Sequence, residues 1–425
     1  MSLSIDESWA KNQDENDPLK AFRNQFLIPK GSDGREEAYF CGHSLGLQPV
    51  RTRAYLEELM TQWQNKGVRG HFEGEFPWVP YHEFLQKNTG LLTGSLPTEV
   101  VSMNTLTANL HMMMVSFYRP TRERYKILIE ENAFPSDLYA VETQAKFHGF
   151  NPEEALVIVR PDQGLLISEE AWKRAIDQHK ESAALLLLPG VQYYTGQAFP
   201  IKELTEFASH RGLVVGLDLA HAIGNLLLHL HDWNVDFAVW CHYKYLNSGP
   251  GAVGGCFVHE RHCKNSELNR FAGWWGHDKD TRFDMKPGFR PVSTVEGWQV
   301  SNPPIASLAS IRASLDVFAE AGGMEQLREK SINLTRYLEW LVKELLPQHL
   351  IQVTSDQAQE RGSLLSFRYA GQRRSGKEFV KSLESRGVIV DWREPDTIRI
   401  APVPLYNNFM DVRRCVFAMK DLLND

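Results

Sequence analysis

Between Tyr125 and Phe257 the chain alternates two hydropathy patterns. Short runs with almost no polar break, Lys126–Glu130, Ala155–Val159, Ala183–Leu188, Leu213–Leu217 and Phe237–Cys241, are separated by longer stretches with roughly helical apolar spacing. A strand with one wet face alternates apolar and polar residues, whereas an unbroken apolar run has no wet face. These runs therefore predict a mostly parallel sheet covered by helices on both sides, an α/β architecture. Helix starts are marked by proline within Asn132–Asp137 and by the cap Ser168-Glu-Glu-Ala171; another helix is expected over Ile201–Arg211.

The flanks read differently. Residues 1–38 form an arm, with a helix expected over Pro18–Phe26. Tyr39 then opens a short strand that breaks into a glycine turn, and a helix follows over Val50–Lys66. After the aromatic loop Gly70–Trp78, a short strand ends near Met103 and a helix begins near Thr107, with Leu110, Met114 and Phe117 on one face. Beyond Val258 comes a loop region, then a helical tract over Ile305–Leu346 interrupted at Gly322-Gly323. The tail reads as strands at 351–354, 363–369, 388–391 and 397–400, with helices at 376–386 and 407–423. At 425 residues the chain exceeds one core. The expected division is an arm and helix packing with the small domain (1–67), a large α/β domain (68–300), and a linker helix with a smaller α+β domain (301–425).

Composition narrows the partners. A net charge of −7 without a long basic run argues against a nucleic-acid surface and leaves small molecules or a second copy of the chain. Five scattered cysteines without a C-x-x-C pair indicate neither a disulfide framework nor a metal site, and imply a reducing compartment. The acidic, polar N-terminus is unlike a signal peptide, and no apolar run approaches a membrane span, so a soluble, cytoplasmic protein is expected.

Chemistry concentrates at two successive strand ends. Leu213–Leu217 delivers Asp218, and Phe237–Cys241 delivers Lys244 into a glycine-rich turn. In a parallel sheet these ends line one crevice. A lysine that holds an aldehyde and a carboxylate that holds a pyridine nitrogen are what pyridoxal phosphate requires. Gly249-Pro-Gly-Ala-Val-Gly254 matches G-x-G-x-x-G, but a β-type run follows it rather than a helix, so no dinucleotide site is expected. Hydroxyls and amides around Thr107 suit a phosphate at a helix start, although an ordinary N-cap reads the same way. From spacing alone, His71 is a surface loop histidine more readily than a ligand contact.

Several longer motifs carry a resemblance: Phe40-Cys-Gly-His-Ser-Leu-Gly-Leu-Gln-Pro49, Phe134-Pro-Ser-Asp137, Tyr194-Thr-Gly-Gln197, Asp218-Leu-Ala-His-Ala-Ile-Gly224, Leu230-His-Asp-Trp233, Tyr243-Lys-Tyr-Leu-Asn247, Ser301-Asn-Pro-Pro304 and Arg399-Ile-Ala-Pro-Val-Pro-Leu-Tyr406. In this order they resemble the type I, aspartate-aminotransferase-like pyridoxal phosphate enzymes and, within them, the kynureninase family over nearly the whole chain. The resemblance implies that Lys244 carries the cofactor, that Asp218 holds its ring nitrogen and that His221 shapes that side of the ring. Phe134 would stack on the ring and Asp137 lie at its phenolic edge; Leu106, Thr107 and Tyr243 would hold the phosphate. It further implies a homodimer with the active site at the subunit interface, where Trp274 reaches the phosphate and Asn302 the substrate's ring end. His71, Trp275, Ser44 and Arg399 would contact substrate, Arg399 through the α-carboxylate. Two positions depart from relatives: Pro189 stands where some have serine, and His43 where asparagine is frequent.

The activity implied is hydrolysis of L-kynurenine or its 3-hydroxy derivative to an anthranilate and L-alanine, in tryptophan catabolism. Lys244 and Tyr243 are the expected catalytic residues, with Tyr243, His71 and Asn302 as candidate donors to the hydrated γ-carbonyl. The residues leave two alternatives. Another enzyme of the fold, a cysteine desulfurase or aminotransferase, would fit the same lysine and acid, though a desulfurase should present a reactive loop cysteine. A non-catalytic descendant should have lost Lys244 or Asp218, and neither is lost.

Overall fold

The computed structural model describes residues 3–265 and 267–424. Its main sheet has seven strands: β1 (Val100–Ser102), β2 (Lys126–Glu130), β3 (Leu156–Val159), β4 (Ala183–Pro189), β5 (Val214–Asp218), β6 (Phe237–Cys241) and β7 (Gly254–Val258). They lie in the order β1-β7-β6-β5-β4-β2-β3. Strands β2 to β6 are mutually parallel, while β7 runs antiparallel to both β6 and β1.

The unbroken apolar runs supply two cores at once. Leu186, Leu188, Val215, Leu217, Ala238 and Trp240 enter one buried cluster. Their immediate neighbours Leu185, Leu187, Phe237 and Val239 enter another, on the opposite face. Side chains alternate across a strand, so a strand buried on both faces must be apolar at every position. Each fully buried leucine contributes about 2 kcal/mol. The second cluster also takes Leu110, Met114 and Phe117 from the helix Leu106–Phe117.

A second sheet of β8 (Leu350–Gln352), β9 (Leu365–Tyr369), β10 (Asp391–Arg393) and β11 (Thr397–Ile400) is antiparallel, in the order β8-β9-β11-β10. Its core takes residues from Leu334 onward together with Ala10, Ala38 and Phe40 of the N-terminal segment. The helix Ile305–Glu320 packs instead into the large-sheet core through Leu308, Ile311 and Leu315.

Two local expectations are corrected. The regular helix of the arm is Glu7–Glu15, and Lys20–Gln25 is only a 3₁₀ helix. Asp17 Oδ1 accepts the Leu19 N–H at 2.9 Å and turns the chain at Pro18. The earlier helix is held by docking: the Trp9 ring lies 4.7 Å from Tyr337 and 5.7 Å from Phe409. The single strand expected at 388–391 is two pieces, because Val388–Ile389 pairs with Ala38–Tyr39 whereas Asp391 opens β10.

Candidate active site

Parallel strands bring their carboxyl ends to one edge of the sheet, and there a cavity opens. It is lined by Glu130 at the end of β2, Pro189 at the end of β4, Asp218 at the end of β5, and Tyr243 and Lys244 in the turn after β6. Leu106, Thr107, Phe134, Asp137 and His221 complete the group of expected residues around it. Pro189 lies in this wall and brings no hydroxyl to it.

Leu106 and Thr107 are the first two residues of their helix, and the N-cap Thr105 makes no side-chain capping bond. Unspent backbone N–H groups and the positive end of the helix dipole therefore face the cavity, which suits an anion. Gly254 keeps that helix start close to the sheet, since a Cβ there would come within 3.0 Å of Leu106 N. Gly46 does the same for the lysine turn: a Cβ would lie 2.3 Å from the Lys244 carbonyl, and Gly46 N–H donates to Tyr243 O at 2.8 Å.

One wall is acidic. Asp218 is buried, and its Oδ1 accepts the Ala220 N–H at 2.6 Å. Burial, then the Asp218 charge and a hydrogen bond to Asp218, hold Asp137 well above the usual carboxylate range. Burial also pushes Glu130 up to about 8, with Asp218 adding to the effect. Opposite them, Lys244 Nζ lies 5.7 Å from the centroid of the Phe134 ring. Burial, reinforced by Lys244 and Arg399, holds His221 well below its ordinary range, so its ring is neutral.

The remaining expected residues lie elsewhere. Arg399 is on β11, an interior strand, and is buried rather than solvated. Its Nε donates to Asp391 Oδ2 at 2.6 Å and its Nη1 to the Tyr193 carbonyl at 2.7 Å. His71, Ser44, Trp274, Trp275 and Asn302 do not line this chain's cavity. The Trp275 ring is 3% exposed and packs under the Arg282 guanidinium at 4.6 Å. Phe72, beside His71, lies 6.2 Å from Phe283, which lies 5.9 Å from Trp274. Asn302 and Ser44 are exposed.

Glu130, Tyr193 and Asp391 were not singled out by sequence. Glu130 ends a strand just as Asp218 does, and that rule would have found it. The motif Leu230-His-Asp-Trp233 is away from the cavity: His231 Nδ1 pairs with buried Glu99 at 3.0 Å, and Leu230 is core.

The chain resembles known proteins in sequence and in fold. Residues 327–419 match the model of the kynureninase C-terminal domain. A kynureninase of Stenotrophomonas maltophilia is 53% identical over 417 residues, covering 98% of each chain. The chain belongs to the kynureninase family. A kynureninase of Koribacter versatilis is 51% identical over 96% of each chain, and one of Xanthomonas campestris 52% identical over 98%. Among solved structures, a C-DES mutant with glycine covalently linked to its PLP cofactor superposes with a TM-score of 0.79 at 16% identity, covering 94% of this chain and 99% of that one. The cysteine desulfurase CsdA of Escherichia coli gives 0.74 at 19% identity, covering 96% and 98%. At such identities the likeness is one of fold, and the fold is that of the type I pyridoxal phosphate enzymes.

Proposed function

We propose that this protein uses pyridoxal 5′-phosphate to hydrolyse the Cβ–Cγ bond of L-kynurenine or its 3-hydroxy derivative, yielding L-alanine and the corresponding anthranilate. The observation that carries the reading is Asp218 and Lys244 on the walls of one cavity that also holds an uncapped helix start. Those residues fit the cofactor. Leu106, Thr107 and Tyr243 would take its phosphate, Phe134 its ring face, Asp218 its ring nitrogen and Lys244 its aldehyde, with Asp137 at the phenolic edge. Bound there, the group supplies an electron sink that acidifies the substrate's Cα proton and stabilises charge at Cβ.

The protein's own groups do the rest. With the cofactor bound, Lys244 would be the base that moves the substrate's Cα proton. Arg399 holds the α-carboxylate. Burial raises the Tyr243 phenol, so it stays an O–H donor and can serve the γ-carbonyl oxygen as water adds there. The neutral His221 ring can hydrogen-bond beside the cofactor without adding a charge.

We place the second half of the site on a partner copy. Phe72, Phe283, Trp274 and Met285 are 66%, 50%, 44% and 77% exposed and lie on one aromatic patch or its loop, an unusual surface for a monomer. Beside it lies His71, so a homodimer would bring His71, Trp274 and Asn302 to the partner's cavity. No helix among the described residues is long and apolar enough to cross a membrane, and all five cysteines are free, which favours the cytoplasm. A desulfurase reading is disfavoured because four cysteines are buried and burial pushes the Cys41 thiol up to about 12.

The deciding assay incubates the purified, cofactor-loaded protein with L-kynurenine and follows anthranilate fluorescence. Fluorescence should rise with stoichiometric L-alanine. Sulfide release from cysteine without anthranilate would replace this reading with the desulfurase.

A further inference from the structure

Arg399 carries five N–H donors, and the fold already uses three of them. Nε and Nη2 both meet Asp391 Oδ2, the former at 2.6 Å, and Nη1 donates to Tyr193 O at 2.7 Å. Among the described residues, one N–H on each Nη nitrogen has no protein partner. The register sets this arrangement, since Asp391 on β10 and Arg399 on β11 are direct cross-strand partners. Tyr193 belongs to the large domain and lines the cavity, where its ring meets Phe134 at 5.3 Å. The guanidinium is thus pinned from both domains. Besides Arg399, Asp391 Oδ2 faces Arg393 Nη2 at 3.4 Å and His43 Nε2 at 3.6 Å.

We propose that Asp391 is a positioning residue for Arg399: its carboxylate, with the Tyr193 carbonyl, sets the plane in which the guanidinium meets the substrate's α-carboxylate. This rests on Arg399 being the carboxylate site. A planar fork matches a carboxylate only when its plane is set, and a guanidinium held on two other edges loses little freedom on binding. Asp391 does not line the cavity; it acts through the arginine.

The test uses the holoenzyme, steady-state kinetics with L-kynurenine, and binding of two probes: L-alanine, and ethylamine, which is alanine without its carboxylate. Asp391→Ala should raise KM and the L-alanine Kd at least tenfold, with kcat within threefold. Ethylamine binding and cofactor affinity should not move. Asp391→Asn should fall between Asp391→Ala and the native protein, because its amide oxygen still accepts from Nε. It also stands in should the alanine variant fail to fold. An unchanged KM, or an equal loss for ethylamine, overturns the positioning role. Arg399→Lys separates the two ideas. If it leaves L-alanine binding intact, the carboxylate site is elsewhere; if it weakens binding while both Asp391 variants do not, only the positioning role fails.

Discussion

Lys244 Nζ sits 5.7 Å from the centroid of the Phe134 ring, although Phe134 precedes the helix after β2 and Lys244 follows β6. Both line the cavity, so the fold brings an aromatic face and an amine from distant parts of the chain to one wall of the site.

Replacing the amine should therefore separate folding from chemistry. Lys244→Ala is expected to keep the native melting temperature within a few degrees and to lose more than about a thousandfold in turnover. Borohydride reduction followed by mass spectrometry should attach cofactor to the native chain and not to the variant. Activity within tenfold of native would refute the lysine's role.

Asp218 should matter for affinity as well as rate. A carboxylate about 4 Å from a pyridinium is worth up to about 4 kcal/mol at an effective dielectric near 20. Asp218→Asn should weaken cofactor binding by roughly 10²-fold to 10³-fold, read by titrating the apoprotein with pyridoxal phosphate. An unchanged Kd would remove Asp218 from the ring nitrogen.

Glu130 predicts a pH dependence. Its folded pKa, raised to about 8 by burial and then by Asp218, exceeds the ordinary 4.5, so the folded chain binds more protons than the unfolded chain between those values. Its ionisation thus costs stability as pH rises from about 4.5 to 8. Glu130→Gln should match the native melting temperature near pH 4.5 and exceed it at pH 8 in thermal scans of the apoprotein. A variant destabilised equally at every pH would show that the carboxyl is needed as a structural acceptor instead.

The aromatic patch predicts shared sites. Phe283→Asp should shift the native assembly toward monomer in sedimentation velocity and weaken cofactor binding, because each cavity then loses Trp274 of the partner subunit. Mixing Lys244→Ala with Asn302→Ala after dissociation should restore turnover that neither variant has alone, because one hybrid site then holds both native residues. Absence of rescue in confirmed mixed dimers would place each site within one chain.

Much of this was legible in the linear order. Apolar runs without a polar break announced β2, β4, β5 and β6, because a strand covered on both faces has no position for a polar residue. Asp218 and Lys244 followed from the strand-end rule. Glu130 obeys the same rule but hides in a run whose last residue looks like an ordinary surface glutamate, until burial at 4% exposure shows otherwise. The helix Glu7–Glu15 was illegible because its stability comes from Trp9 meeting Tyr337 and Phe409, contacts made hundreds of residues away.

By itself, then, the sequence determined the layered α/β plan and the residue types at its strand ends, since hydrophobic periodicity is local and each strand carries its own. Only the tertiary structure decided which donors of Arg399 are spent and that burial beside Asp218 holds Asp137 well above the usual carboxylate range. It also separated His71 and Trp274 from the cavity that holds Lys244. Those facts depend on sheet register, burial and the meeting of distant loops, which no stretch of chain encodes alone.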